Sequence, residues 1–298
     1  MSARTVVGGL TIPGKPARAA KGLVLLICCA AVVIPFVGIL STSLASREEL
    51  TNAGGFVLFP SSISFDAYEA ILSGGVVTRA TLVSVFVTLT GTVLSLTATT
   101  LLAYGLSRSR STLHRPFLMI VLLPLLFTPG IIPSYLVVQN LDLLDTYWAL
   151  ILPVLVNAFN VIVLRAFFME LPGEIIDSAR IDGAGDFTIL WRIVLPMSKA
   201  VLAVIGLFYA VAYWNSFFSA LLYINDQAKV PLQLVLRTYV VNQSQLGVDQ
   251  LGAAGEQLPA PQALQMAILV LSIIPILFVY PFVQRHFTKG VLVGAVKG

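Results

Sequence analysis

The sequence predicts an all-α, polytopic membrane protein with six transmembrane helices, and three observations carry that expectation. Apolar residues make up 57% of the 298-residue chain and charged residues only 11%, for a mean hydropathy of +0.92. A soluble domain carries about twice that charged fraction. Six apolar stretches, at 22–44, 80–106, 116–139, 147–168, 200–224 and 262–283, each approach or exceed the ~20 residues that cross a ~30 Å hydrocarbon core. Between the fourth and fifth lies a polar island, 171–196, with Glu174, Asp177, Asp182 and Asp186.

Residues 1–21 carry Arg4, Lys15, Arg18 and Lys21 and no acid, and read as a short polar tail. Within the tail, Gly9, Gly14 and Lys15 imitate a phosphate-binding loop. Pro16 stands where a Ser or Thr is required and no strand is expected before it, so no ATP site is expected in this chain. The first stretch, 22–44, competes with a cleavable signal peptide, whose apolar core is normally about 7 to 15 residues; its length favours an uncleaved anchor. Its adjacent Cys28 and Cys29 read as packing residues, since a metal site would need further ligands at matching spacing.

The second stretch, 80–106, is rich in small and hydroxylated residues: Thr88, Gly91, Thr92, Ser95 and Thr99. Such residues let helix backbones approach closely in lipid, so this helix is expected in the middle of the bundle. Arg108, Arg110 and Arg115 close a basic loop. The third stretch is interrupted at Pro124, Pro129, Gly130 and Pro133. Backbone groups freed there need neighbours or a wet cavity, which makes Pro129 and Gly130 either a gate in a pathway or a kink facing protein. The fourth stretch bears Asn157 and Asn160; the fifth bears Tyr209, Tyr213, Trp214 and Asn215. Aromatic faces stack on sugar rings and amides bond hydroxyls, but aromatics in a span also serve as packing and interface anchors. The polar stretch 225–261 has one helical segment, at 231–240, followed by a Gly- and Gln-rich remainder, and is either a partner contact or a disordered connector. Residues 284–298 form a basic tail.

Charge placement orients the chain. Of eighteen Lys and Arg, thirteen fall in the N-terminal tail, the 108–115 loop, the polar island with its exit (Arg180, Arg192, Lys199) and the C-terminal tail; Arg47, Lys229 and Arg237 face the other side. The positive-inside rule then puts the island and both termini in the cytoplasm. A net charge of +4 spread over short loops, with no aromatic-lined stripe, speaks against nucleic acid. No span has an ionisable residue at its centre, which disfavours a proton- or sodium-driven transporter, and no nucleophile, base or metal set marks an enzyme.

The island reads as two short helices joined at a glycine corner. Pro172 suits a first helical position, Asp182 and Gly183 supply a stop, Asp186 can cap the second helix, and Pro196 ends it. An ordinary loop is the plain alternative. Its residues, however, resemble the coupling loop of the permease subunits of ATP-driven importers: Asp177-Ser178-Ala179, three residues, Gly183, nine residues, then Ile193-Val194-Leu195-Pro196. That family has Glu and Ala where Asp177 and Ser178 stand here, a departure that bears on the fine fit to the ATPase.

The resemblance implies a type I ABC importer permease fold of the maltose type, with a cytoplasmic coupling helix between spans 4 and 5. It assigns ATPase coupling to Glu174, Ile175, Ile176, Asp177, Ser178, Ala179, Ile181, Asp182, Gly183, Ala184, Phe187 and Pro196. Ile175, Ile176, Ala179, Ile181 and Phe187 would be the apolar contact. The runs LDLLDTYWALILP (141–153), YAVAYWNSFFSALLYI (209–224), PLQLVLR (231–237) and GVLVGAVKG (290–298) are similar to sugar-specific members, above all those importing aldouronate or alginate fragments. The implied assembly is a bacterial inner-membrane heterodimer with a second permease, two ATPase subunits that hold ATP and Mg, and an extracytoplasmic solute-binding protein that delivers an oligosaccharide. No cofactor is then expected in this chain. The 225–261 loop would reach the binding protein, and the tail with Gly290, Gly294 and Lys297 would insert between the ATPases. A permease for an amino acid or phosphate, or a membrane structural or channel subunit, are the other readings.

Overall fold

Helices account for most of the chain. The structure is a computed structural model describing residues 6–7, 10–11, 15–73, 75–108, 114–242 and 259–295. The chain separates into two compact units, residues 1–71 with 254–270 and residues 72–253 with 271–298.

In the first unit, β1 (Val6–Val7) pairs antiparallel with β2 (Leu10–Thr11), where the sequence reads as plain tail. A strand thus does precede Gly9, but Pro16 still lacks the hydroxyl a phosphate loop needs. Helix α1 (Lys15–Ser43) starts before the expected residue 22. Pro16 sits in its first turn, where a missing N–H costs nothing, and nothing from Lys15 to Lys21 breaks the helix. Cys28 and Cys29 are exposed on it rather than packed. The stretch after α1 is folded. Thr42 Oγ1 donates to the Val57 carbonyl and accepts its N–H, both at 3.1 Å, and Ser43 Oγ bonds the Tyr68 hydroxyl at 2.7 Å. Ser46 caps α2 (Arg47–Asn52), and α2 and α3 (Asp66–Leu72) bury Leu50 and Ile71.

The second unit is built around α4 (Val76–Ser107), which packs on α8 (Ala158–Met169) and α12 (Lys199–Trp214). Its small residues do the expected work: Ser84, Gly91, Ser95 and Thr99 are all buried along it.

Several expected spans are broken. The third divides into α5 (His114–Leu126) and α6 (Ile131–Asn140), with Gly130 in extended backbone at the start of α6. Pro129 lacks an N–H and disfavours helical angles at Thr128, and with Gly130 next to it the helix breaks there. The fourth divides into α7 (Trp148–Ile151), a 3-10 turn at Leu152–Val154 and α8, with a 51° bend. The fifth pairs α12 with α13 (Phe217–Tyr223). In the 225–261 stretch, α14 (Leu232–Leu236) continues into a π-helical turn, Arg237–Val241. Past residue 283, where a tail is expected, α15 (Pro261–Ala295) continues without interruption. Gly290 and Gly294 lie within it, and Lys297 lies outside the described residues. By length and composition, Pro16–Ser43, Val76–Ser107 and Pro261–Pro281 can cross a membrane; each of two bent pairs can add one more.

Candidate functional site

The polar island folds into a compact elbow. Helix α9 (Gly173–Ile181) follows Pro172, which sits just outside the helix rather than at its first position. Glu174 in the first turn complements the positive end of the helix dipole, and Arg180 in the last turn complements the negative end. Gly183 then reverses the chain at φ +83°. Its N–H donates to the Arg180 carbonyl at 3.0 Å, and the Ala184 N–H donates to the Ala179 carbonyl at 2.9 Å. This pair of bonds is a Schellman closure, and its positive φ is the reason a glycine is needed there.

After the corner come α10 (Asp186–Ile189), a π-helical turn (Leu190–Val194) and α11 (Leu195–Met197). Two expectations are corrected here. Asp186 is the first helical residue, not the cap, and its carboxylate instead reaches back 3.3 Å to Arg180, tying the two helices together. The helical run Asp186–Met197 ends at Met197, one residue past the expected stop at Pro196. The turn comes at Ser198, and the chain bends by 85° into α12.

The apolar residues of the elbow divide between two faces. Ile176, Ala179 and Ala184 pack inward against a buried cluster that includes Tyr104, Leu164, Phe168 and Leu190. Ile175, Ile181 and Phe187 point outward, the last two 87% and 72% exposed. The expected five-residue contact surface is therefore split, since the helix must spend Ile176 and Ala179 on its own bundle. Trp191, 66% exposed, joins the outer set. Its position four residues after Phe187 is the helical spacing that could have flagged it. The elbow is anchored from below by Tyr104, whose hydroxyl donates to the Asp186 carbonyl at 3.0 Å.

The residues expected to touch a substrate are mostly used elsewhere. Tyr209 and Tyr213 are each 3% exposed, and Trp214 and Asn160 are as deeply buried. The Tyr209 hydroxyl bonds Thr99 at 2.6 Å and accepts the Asn157 N–H at 2.9 Å. The Tyr213 hydroxyl bonds Ser95 at 2.7 Å and donates to the Ile151 carbonyl at 3.2 Å, while Trp214 Nε1 donates to the Ser272 carbonyl at 2.9 Å. Polar tips inside an apolar bundle must find partners, and here they find them on neighbouring helices, which makes them helix locks. Asn157 and Asn215 remain exposed, although Asn157 also caps α8 and Asn215 Nδ2 bonds the Val211 carbonyl. Pro129 and Gly130 lie exposed in the break between α5 and α6.

At the other end of the bundle, Asp145 accepts the N–H groups of Asp226 (2.9 Å) and Asn225 (3.1 Å), and Lys229 Nζ bonds its carbonyl at 2.9 Å. The Asp226 N–H is the main cause holding the Asp145 carboxyl below its ordinary pKa, aided by Asn225 and Lys229 against partial desolvation. Among the described residues no group of His, Cys, Asp and Glu is placed to hold a metal ion.

Residues 91–293 match the sequence model of the binding-protein-dependent transport system inner membrane component. The chain belongs to that family. The matched region contains the elbow and the partners that anchor it. Over 266 residues the chain is 46% identical to the polygalacturonan/rhamnogalacturonan transport system permease protein YtcP of Bacillus subtilis, covering 89% of this chain and 93% of the relative. Protein LplC of the same organism is 45% identical over 269 residues, 90% of each chain. A chain from the crystal structure of a bacterial ABC transporter involved in the import of the acidic polysaccharide alginate superposes with a TM-score of 0.85 at 31% identity, over 93% of this chain and all of that one. This permease is therefore a membrane subunit of an ABC importer, in a family whose systems combine it with a binding protein, a second permease and a separate ATPase.

Proposed function

We propose that this permease carries an oligosaccharide derived from an acidic polysaccharide across the bacterial inner membrane, driven through its elbow by a separate ATPase. The observation that carries the mechanism is the split elbow. One face is locked to the bundle through Ile176, Ala179 and the Tyr104 hydroxyl, and the other presents Ile181, Phe187 and Trp191, which no described residue covers. Such a two-faced rigid body transmits a push, because its inner face cannot move without α4 and α8. The coupling role of Glu174, Asp177, Ser178, Asp182 and Gly183 rests on their place in this body and on the motif spacing.

Six spans are counted if α5 with α6, α7 with α8, and α12 with α13 each make one crossing beside the three long helices. The bias of Lys and Arg supports both termini and the elbow on the cytoplasmic side. On that placement the Asp145 and Lys229 end faces outward, where a binding protein arrives, and the break at Pro129 and Gly130 can serve as a gate. Asn157 and Asn215 are the two sugar-contact candidates still exposed. The substrate class is supported by the relatives' transport of polygalacturonan, rhamnogalacturonan and alginate.

The test is uptake by the assembled importer. Galacturonate oligomers should be taken up in an ATP-dependent way, and a neutral maltooligosaccharide, an amino acid or phosphate should not compete. Competition by the neutral sugar alone would move the substrate to another class, and uptake without ATP would remove the coupling role. Labelling of a cysteine placed at Ile181 in a Cys28→Ser, Cys29→Ser background checks orientation; it should react only from the cytoplasmic side.

A further inference from the structure

We propose that the loop between α2 and α3 is a membrane wedge, whose Phe56, Phe59, Ile63 and Phe65 sit in the lipid boundary at the Ser43 end of α1. From Leu50 to Phe65 the chain carries no charge, while Glu48 and Glu49 precede this stretch and Asp66 and Glu69 follow it. The four apolar side chains are each more than half exposed, Phe59 at 79%. Large apolar groups gathered in one uncharged loop mark a contact surface.

The loop is fastened to the end of α1. Thr42 Oγ1 holds both backbone groups of Val57, the Ser64 N–H donates to the Leu44 carbonyl at 2.8 Å, and Ala45 and Ile63 form an antiparallel bridge. The Ser61 N–H donates to the Glu49 carboxylate, also at 2.8 Å, which ties the far side of the loop to α2. One helical turn before Thr42, the Phe56 ring lies across Gly38 so closely that a Cβ there would overlap it.

That last contact sets the depth. Lys21 is the last charge before Arg47, so it marks where α1 enters the hydrocarbon from its other end. Gly38 lies 17 residues beyond Lys21, which at 1.5 Å per residue is about 26 Å, short of the ~30 Å core. Tilt of α1 brings Gly38 deeper, and snorkelling by Lys21 brings it only to the boundary. The Phe56 ring is therefore at or just inside the lipid edge, and the loop bonded to the next turns of α1 shares that level. Phe36 and Leu40, on either side of Gly38 along α1, are exposed in the same way, so the loop continues the lipid-facing surface of its own anchor. The acids of α2 and α3 stay in water, because carboxylates are costly in the apolar layer. The wedge then holds this end of α1 at a fixed depth.

The inference rests on α1 crossing the bilayer, and the experiment keeps the two apart. Phe59→Cys, Val32→Cys and Glu48→Cys are each made in a Cys28→Ser, Cys29→Ser background, spin-labelled, and assembled with cysteine-free partner subunits in nanodiscs of phosphatidylethanolamine and phosphatidylglycerol. Collision with molecular oxygen, which concentrates in lipid, is compared with collision with a water-soluble nickel chelate. The Val32 label should favour oxygen and the Glu48 label the chelate; a Val32 label that favours the chelate removes the span and the wedge together. With Val32 in lipid, the oxygen-to-chelate ratio at Phe59 should rise well above the Glu48 value toward that of Val32. A ratio equal to that of Glu48 overturns the wedge in favour of a loop in water, and a Phe59 label reached by neither collider overturns it in favour of a covering protein. Ile63→Cys gives the same reading if Phe59→Cys does not assemble.

Discussion

Gly91 on α4 lies directly beneath the ring of Tyr213 on α12, so closely that a Cβ at Gly91 would sit 2.7 Å from Cζ of that ring. The ring cannot retreat, because its hydroxyl is held by Ser95 and the Ile151 carbonyl. Two helices thereby approach through one absent side chain.

Gly91→Ala should therefore cost about 1–3 kcal/mol, the usual penalty for overpacking a fixed interior. Tyr213→Phe keeps the ring and should cost only about 0.6 kcal/mol for its hydrogen bonds in the membrane. Equilibrium unfolding in mixed micelles measures both, and a Gly91→Ala, Tyr213→Leu double variant should recover much of the first loss.

At the corner of the elbow, Gly183→Pro removes the donor to Arg180 and forces a negative φ onto a residue at +83°. The assembled importer should still bind ATP and lose ATP-driven uptake. Gly183→Asn, which tolerates the left-handed region, should retain more uptake than Gly183→Val.

The two faces of the elbow should separate by assay. Phe187→Ala and Ile181→Ala remove exposed surface, so they should weaken capture of the ATPase subunit while leaving the permease's thermal midpoint within about 2 °C of the wild type. Ile176→Ala should do the reverse, lowering stability by about 1–2 kcal/mol, below the range for a fully buried isoleucine because Ile176 is only partly buried.

The Asp145 latch predicts a pH dependence with a definite sign. The folded carboxyl titrates below its ordinary value, 3.8, so the folded state binds fewer protons than the unfolded one. The contribution is present at neutral pH and is lost as pH falls through the depressed folded value. Limited proteolysis of the segment at 225–242 should accelerate only at that acid end. Asp145→Asn, which keeps the left-handed backbone accessible at φ 60°, should cleave at the same raised rate across the range.

Much of the elbow was legible from residue types alone. Asp182 and Gly183 after a helical pattern read as a corner, because glycine takes a positive φ without strain, and the alternation of acids with Ile175, Ile176 and Ile181 announced an amphipathic helix. The central role of α4 was equally readable in Gly91, Ser95 and Thr99. Residue type alone left two readings open for Asn160, Tyr209, Tyr213 and Trp214: they suit a sugar, and in an apolar bundle the same groups suit a neighbouring helix. Nor could spacing tell that Ile176 faces inward and Ile181 outward, since both lie on helical periods that differ only in what they meet.

By itself the sequence determined which stretches are apolar enough for lipid, that Pro129, Gly130 and Gly183 are weak points for a helix, and which loops carry the positive charge, because these follow from local sterics, solvation and charge. Tertiary structure alone decided which polar groups became helix locks, that Asp186 pairs with Arg180 instead of capping its own helix, and that Phe187 and Trp191 stay outside. Each of these depends on which partner lies within bonding distance, and chain neighbours do not set that distance.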